Sequence, residues 1–330
     1  MKPFGYVRAQ SLAEAATAHG GRPGSAYLAG GTNLVDLMKL GVEQPDTLVD
    51  LTGLLPTGIE ATADGGVRIG AGVRNSDLAA HPLAGARCPV LAQALLSGAS
   101  AQLRNAATTG GNLLQRTRCG YFQDVAKPCN KREPGSGCGA LDGINRDHAV
   151  LGHSPLCVAT HPSDLAVALA ALDAEVEITG AGGPRTVAFD GFLRLPGDHP
   201  EQDTALRHGE LVTAVLLPAG AFGAPSRYRK ARDRASYAFA LASVAAVLET
   251  EDGRVTRVAL AFGGLAHRPW RARTAEEQLL GGPATAEAFR TAVGAELAAA
   301  RPLRDNAFKV VLARSLACDV LGRLAAPRQG

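Results

Sequence analysis

Four of the chain's six cysteines, Cys119, Cys129, Cys138 and Cys157, are spaced C-x9-C-x8-C-x18-C in one stretch. Thiolates are soft ligands for zinc and for iron–sulfur clusters, so four together predict a metal centre. The spacing is neither the C-x2-C pairing of zinc ribbons nor the compact run of bacterial ferredoxins. By spacing alone, a four-thiolate [4Fe–4S] cluster and a four-cysteine zinc site stand as alternatives. Unrelated core cysteines fit less well, because the surrounding run KPCNKREPGSGCG is polar and loop-like. Cys88 and Cys318 lie in apolar settings and read as structural thiols.

Two glycine turns flank this chemistry. The first, Ala29-Gly30-Gly31-Thr32-Asn33-Leu34, falls between a predicted strand at 26–29 and a predicted helix at 33–40. Paired glycines let backbone N–H groups approach a diphosphate, and the helix start that follows favours negative charge. Its spacing fails GxGxxG, so a Rossmann dinucleotide fold is not supported. The second, Thr108-Thr109-Gly110-Gly111-Asn112-Leu113, repeats the pattern and runs straight into the cysteines. Either turn alone could be a simple tight turn; two in one chain could clamp a diphosphate from both sides.

Other candidates are weaker. Asp164, in His161-Pro162-Ser163-Asp164, could accept hydrogen bonds from ribose hydroxyls or an adenine amine, or this segment could simply cap a helix. Lys230, in Tyr228-Arg229-Lys230-Ala231, could offer a cation to a flavin or phosphate, although a solvated basic face is the simpler reading. There is no hydrolase elbow and no HExxH motif. The eight histidines are scattered, and His148, His153 and His161 read as loop residues.

The elements that must position these groups alternate short strands and helices. A helix is predicted at 11–19, with Ser11 and Glu14 forming a capping box. Strands are predicted at 47–50, 66–72, 175–179, 210–217, 226–231 and 255–262. Helices are predicted at 76–78, 89–97, 162–172, 274–280, 284–300 and 306–323. The apolar run 237–249 fits helix or strand; its part 238–248, too short for a membrane span, reads as a buried helix. A Pro/Gly/Ala-rich link at 218–224 marks a domain boundary.

At 330 residues the chain can hold two or three domains, and 39 glycines with 19 prolines suit a turn-rich mixed fold. A net charge of +3 argues against nucleic acid or an anionic membrane surface as partner. The opening MKPFGYVRAQ lacks the apolar core of a secretory signal, and clustered thiols suit a reducing cytosol.

Taken together, AGGTNL, TTGGNL, HPSD and YRKARDRASY resemble the FAD-binding medium subunit of the xanthine dehydrogenase family of molybdenum hydroxylases. The stretch GGNLLQRTRC…PCNKREPGSGC is similar, more specifically, to the FAD subunits of bacterial three-subunit aldehyde oxidoreductases, which carry an extra [4Fe–4S] cluster in a loop after the second turn. The resemblance implies an α+β fold of the CO-dehydrogenase-flavoprotein type. A two-lobed FAD-binding domain would occupy residues 1–220, with the cluster loop at about 115–158, and a smaller C-terminal α+β domain would occupy 221–330.

It implies FAD in the crevice between them. Tyr27, Leu28, Ala29, Gly30, Gly31, Thr32, Asn33 and Leu34 would contact its pyrophosphate and ribityl part, with Thr108, Thr109, Gly110, Gly111 and Asn112 as the facing turn. Asp164 would bind the adenosine end, Lys230 would lie near the flavin, and Val212 would pack against FAD. Cys119, Cys129, Cys138 and Cys157 would ligate the cluster, so iron–sulfur replaces zinc as the expected metal.

Such a subunit has no catalytic residue of its own. It belongs to a heterotrimer, in which a large molybdopterin subunit oxidises the substrate and a small subunit with two [2Fe–2S] clusters relays electrons to FAD for an external acceptor. Complexes of this kind can be exported already folded, which leaves the periplasm open beside the cytoplasm. Two rivals remain at this level. A free-standing FAD oxidase would need a substrate domain that is not evident, and a zinc-stabilised scaffold would be colourless.

Overall fold

The computed structural model describes residues 1–326. Three sheets carry the architecture. The first is parallel, with Thr47–Asp50 between Gly5–Arg8 and Ser25–Leu28. The helix Leu12–Gly20 connects its outer strands. Ser11 caps that helix by accepting from Glu14 N at 3.1 Å, while the Glu14 carboxylate accepts from Gln10 N, one residue before the box predicts. The second sheet is antiparallel and centred on Leu211–Leu217, which lies between Val67–Gly70 and Glu175–Thr179, with Ile59–Ala61 and Arg185–Ala188 outermost. The third runs Trp270–Arg271, Arg254–Gly263, Ala242–Glu251, Ser226–Ala231, also antiparallel. Three helices, Arg273–Leu279, Ala286–Leu297 and Phe308–Ala325, pack with this last sheet.

The apolar run near 238–248 is a strand, not the buried helix that its composition suggests. Its residues alternate between two cores. Ala245 and Val247 join the core of the first two sheets, whereas Ala242, Val244, Ala246 and Leu248 join that of the C-terminal helices. The strand is thus a wall shared by two cores and is apolar on both faces. A run without alternation cannot be told from a helix by periodicity.

The Pro/Gly/Ala-rich segment at 218–224 is likewise more embedded than a linker. It contains the 3-10 turn Ala219–Ala221, and Ala221 and Ala224 are buried. The helix Asp164–Ala171 forms as expected, with Ser163 Oγ accepting from Ala166 N at 3.0 Å, and it packs on the strands Ala242–Glu251 and Arg254–Gly263. Strands Gly5–Arg8 and Arg185–Ala188 went unpredicted because both are largely solvent-facing and carry no apolar run. No described helix is long and apolar enough to cross a membrane.

Candidate functional site

The strand Ser25–Leu28 ends in the first glycine turn, and the helix Leu34–Lys39 leaves it. Gly31 has φ +70°, a left-handed conformation that favours glycine. A Cβ on Gly30 would fall 2.3 Å from the Ala106 carbonyl oxygen and 3.2 Å from Ala107 Cα, so this turn rests directly on the chain entering the second turn. Among the described residues, no protein acceptor meets the N–H groups of Gly30, Gly31, Thr32 and Asn33. The Asn33 side-chain amide, whose Oδ1 accepts from Arg116 N at 2.8 Å, keeps Nδ2 buried and without a partner. Unpaired donors of this kind are costly unless something accepts from them. They suit a diphosphate.

The second turn is built differently. Its amides are committed within the protein: Thr109 N to Val73 O at 2.8 Å, Gly110 N to Ala71 O at 2.9 Å, Gly111 N to Thr108 Oγ1 at 3.2 Å and Asn112 N to Thr108 O at 2.8 Å. The expectation of a cradle of backbone amides from both sides therefore holds for the first turn only. The second supplies a wall. Gly110 is packed against Ala71, where a Cβ would meet the neighbouring Cβ at 3.0 Å.

The two turns separate two clefts. The larger, about 640 Å³, is lined by Thr32, Asn33, Gly111 and Asn112 together with Asp164, Lys230, Cys119 and His148. The smaller, about 360 Å³, is lined by Ala29 and Thr108 with the apolar Leu51, Leu55 and Ile59. Tyr27 lies at the edge, its ring against His19 at 4.1 Å and its hydroxyl donating to Gly209 O at 2.9 Å. Leu28 ends its strand, and Leu34 begins its helix. Val212 lines neither cleft; it is buried in the second sheet opposite Ile178.

Asp164 and Lys230 meet. Lys230 Nζ is 2.7 Å from Asp164 Oδ2, and Tyr228 donates its hydroxyl to the other carboxylate oxygen. Burial and the Asp164 charge push the Tyr228 phenol well above its usual range, so it stays a donor. Lys230 is therefore not on a solvated face, and Asp164 is not the helix cap, a role that Ser163 fills. Because the two side chains touch, they serve the same end of a bound cofactor, and the expectation that places them at opposite ends fails. Tyr228 and Lys230 share one face of the strand Ser226–Ala231 at a spacing of two, a signal present in the sequence.

The cysteines converge beside the larger cleft. Cys129 and Cys138 pair across an antiparallel bridge, and Cys119 packs with Cys129 around Phe122. Burial pushes the Cys119 thiol up to about 11, with charge on Cys129 and Cys138 adding to the effect. Burial likewise pushes Cys157 up to about 12, offset by Lys131 and reinforced by Cys138 and Cys119. Four mutually sensed thiols thus surround one pocket, and Cys119 also faces the cleft. Among the described residues, no group of three or more His, Cys, Asp or Glu stands close enough to hold a metal ion.

The loop carrying them is pinned on two sides. Lys131, 3% exposed, donates to Pro200 O at 2.6 Å and pairs with Asp203, which also meets Arg116 at 2.6 Å. From the C-terminal helix, Lys309 Nζ donates to the carbonyls of Asp147, His148 and Gly264, and Asn306 donates to those of His148 and Ala149. None of these pins carries a motif. His148 is the other unforeseen residue: it is no free loop histidine but lies 3.1 Å from Cys119 Sγ.

Comparison with known proteins follows this geometry. Residues 2–220 match the family described as the FAD binding domain in molybdopterin dehydrogenase, and residues 226–325 match the CO dehydrogenase flavoprotein C-terminal domain. The chain is 52% identical to the aldehyde oxidoreductase FAD-binding subunit PaoB of Escherichia coli K12, over 99% of each chain. It is 29% identical to the glyceraldehyde dehydrogenase medium chain of Sulfolobus acidocaldarius, over 84% of this chain and 81% of that one. Among solved structures, carbon monoxide dehydrogenase from Hydrogenophaga pseudoflava superposes with TM-score 0.74 at 28% identity, over 97% of both chains. Quinoline 2-oxidoreductase from Pseudomonas putida 86 shares the fold, with TM-score 0.75 at 23% identity over 98% of both.

Proposed function

This chain belongs to the molybdenum hydroxylase family as an FAD-binding medium subunit, an oxidoreductase subunit of the aldehyde oxidoreductase and CO dehydrogenase type, and from that premise we propose that it is the FAD- and [4Fe–4S]-containing electron-transfer subunit of a molybdenum-dependent aldehyde oxidoreductase. The observation that carries the proposal is the shared boundary of the two sites. Cys119 lines the same cleft as Asn33, Gly111, Asp164 and Lys230. A redox cluster and a flavin placed there would be immediate neighbours.

The residues present fit FAD. Gly30, Gly31, Thr32 and Asn33 offer unpaired N–H groups to a diphosphate, and Asn33 Nδ2 adds a buried donor. The larger cleft suits the flavin and the smaller, apolar cleft the adenine, with the two glycine turns between them. FAD bound in this way supplies the two-electron store that meets one-electron clusters on one side and an external acceptor on the other. The Lys230 ammonium would hold positive charge beside it, fixed by Asp164 and Ser97 O.

The thiols fit a group larger than a single ion. Their high protonation range means that cluster binding would release protons as the thiolates form. Cys119, Cys129, Cys138 and Cys157 would each give one ligand, and the pins at Lys131, Asn306 and Lys309 would hold the loop around them. Residues 1–220 and 221–330 would form the FAD-binding and C-terminal domains, in line with the family matches. A small [2Fe–2S] subunit and a large molybdopterin subunit would complete a heterotrimer, and the name of the 52% identical relative supports an aldehyde as substrate of the whole.

The test is an absorbance spectrum of anaerobically purified protein with iron and flavin quantified. About four irons and one FAD per chain, as a cubane beside one flavin site requires, is the expected result. Flavin without iron would remove the cluster from the proposal, and neither from a folded protein would overturn it.

A further inference from the structure

One group in the cysteine pocket is not among the four thiols. The His148 ring is 7% exposed, with Nε2 3.1 Å from Cys119 Sγ and Nδ1 buried without a protein partner. It lines the larger cleft together with Cys119.

Its backbone is held with unusual firmness. The carbonyl accepts from Asn306 Nδ2 at 3.2 Å and from Lys309 Nζ at 2.9 Å, and its N–H donates to Asn145 O at 3.1 Å. Lys309 and Asn306 are fully buried on the C-terminal helix side, so the imidazole is aimed by a distant element. The Tyr121 ring stands 6.2 Å away on another flank.

The chemistry of the contact fixes its direction. A metal-bound thiolate only accepts hydrogen bonds, so Nε2 must carry the hydrogen and Nδ1 the lone pair. No donor approaches Nδ1, which agrees with that tautomer. An N–H bonded to a ligand sulfur draws electron density from it, which favours the reduced cluster and raises its potential.

We propose, resting on the cluster reading above, that His148 is a positioning residue that sets the reduction potential of an iron–sulfur cluster at Cys119 through an N–H···S bond on the flavin side. The step it governs takes up one electron, with no bond broken and the hydrogen remaining on Nε2. Its effect is to shift where an electron rests between cluster and flavin.

The experiment is a potentiometric titration of the assembled holoenzyme, followed by EPR, with iron and flavin content measured on every sample. Wild type, His148→Phe and His148→Gln are compared. His148→Phe should keep about four irons. Its reduced fraction at the wild-type midpoint should fall about tenfold, about 59 mV for one electron. His148→Gln keeps an N–H donor and should recover most of that shift.

A His148→Phe protein with full iron and an unchanged midpoint overturns the inference while leaving the cluster in place. Wild type without iron overturns the cluster reading itself. Should the phenyl ring expel iron, His148→Leu carries the same comparison; iron loss there too would mean that His148 is a ligand, and would overturn the inference.

Discussion

The Lys230 ammonium stands 2.7 Å from the Asp164 carboxylate, and the two side chains are only 3% and 8% exposed. A pair so deep survives because its other valences are met by Tyr228 and Ser97 O. Removing one partner strands the other.

Lys230→Met should therefore destabilise the protein by about 3–5 kcal/mol and weaken flavin retention. Urea unfolding and the flavin-to-protein ratio measure the two effects. Tyr228→Phe, which removes one hydrogen bond to the carboxylate, should cost less, about 1.5–3 kcal/mol. Equal losses from both variants would show that the ion pair is not the dominant contact.

Gly30→Ala and Thr108→Ala separate the two glycine turns. A Cβ at position 30 meets backbone 2.3 Å away, so the first turn must shift and its amides lose their alignment. Most of the FAD should be lost on gel filtration. Thr108→Ala removes only a cap to Gly111 N, at about 1 kcal/mol, and should retain flavin. Retention of FAD by Gly30→Ala would remove the first turn from the binding site.

Cys129→Ser should lose cluster iron while keeping most of the flavin, because Cys129 sits in the polar loop away from the glycine turns. Iron assay and visible absorbance read the two cofactors independently. Undiminished iron would sink the ligand assignment.

Acid stability should track His161. Burial pushes its imidazole down to about 4 from 6.5, and the neutral ring accepts from Ser163 N with Nδ1 while Nε2 faces Leu113 O. Between pH 6.5 and about 4 the unfolded chain binds a proton that the folded one does not. Stability from this group is thus full above 6.5 and is lost as the pH falls, by about 1.4 kcal/mol per pH unit. His267, also buried and lowered, acts in the same direction. Urea midpoints across this range should show a smaller slope for His161→Gln than for wild type.

The residues that announce themselves are those where chemistry forces a residue type. Gly31 needs a left-handed backbone, Ser163 needs a cap oxygen, and four thiols need a common purpose. These were legible, and so were most helices and the inner strands. The failures share a cause, namely that the deciding contact lies far along the chain. Asp164 meets Lys230 sixty-six positions away, so neither could be placed alone. The strand Ala242–Glu251 hid its period because it divides its side chains between two cores. Both turns read GG, but only the contacts of Gly110 with Ala71 and Thr109 with Val73 reveal that the second turn has spent its amides. Lys309 and Asn306 look like ordinary helix residues until their carbonyl partners are known.

The pins on the cysteine loop also impose an order on biosynthesis. All four thiols have left the ribosome by residue 157, yet Asp203 comes later, and Asn306 and Lys309 come only with the final helix. Throughout that interval the loop has no lid. Whatever is to be enclosed there can enter while translation continues, and completion of the last helix shuts the door behind it.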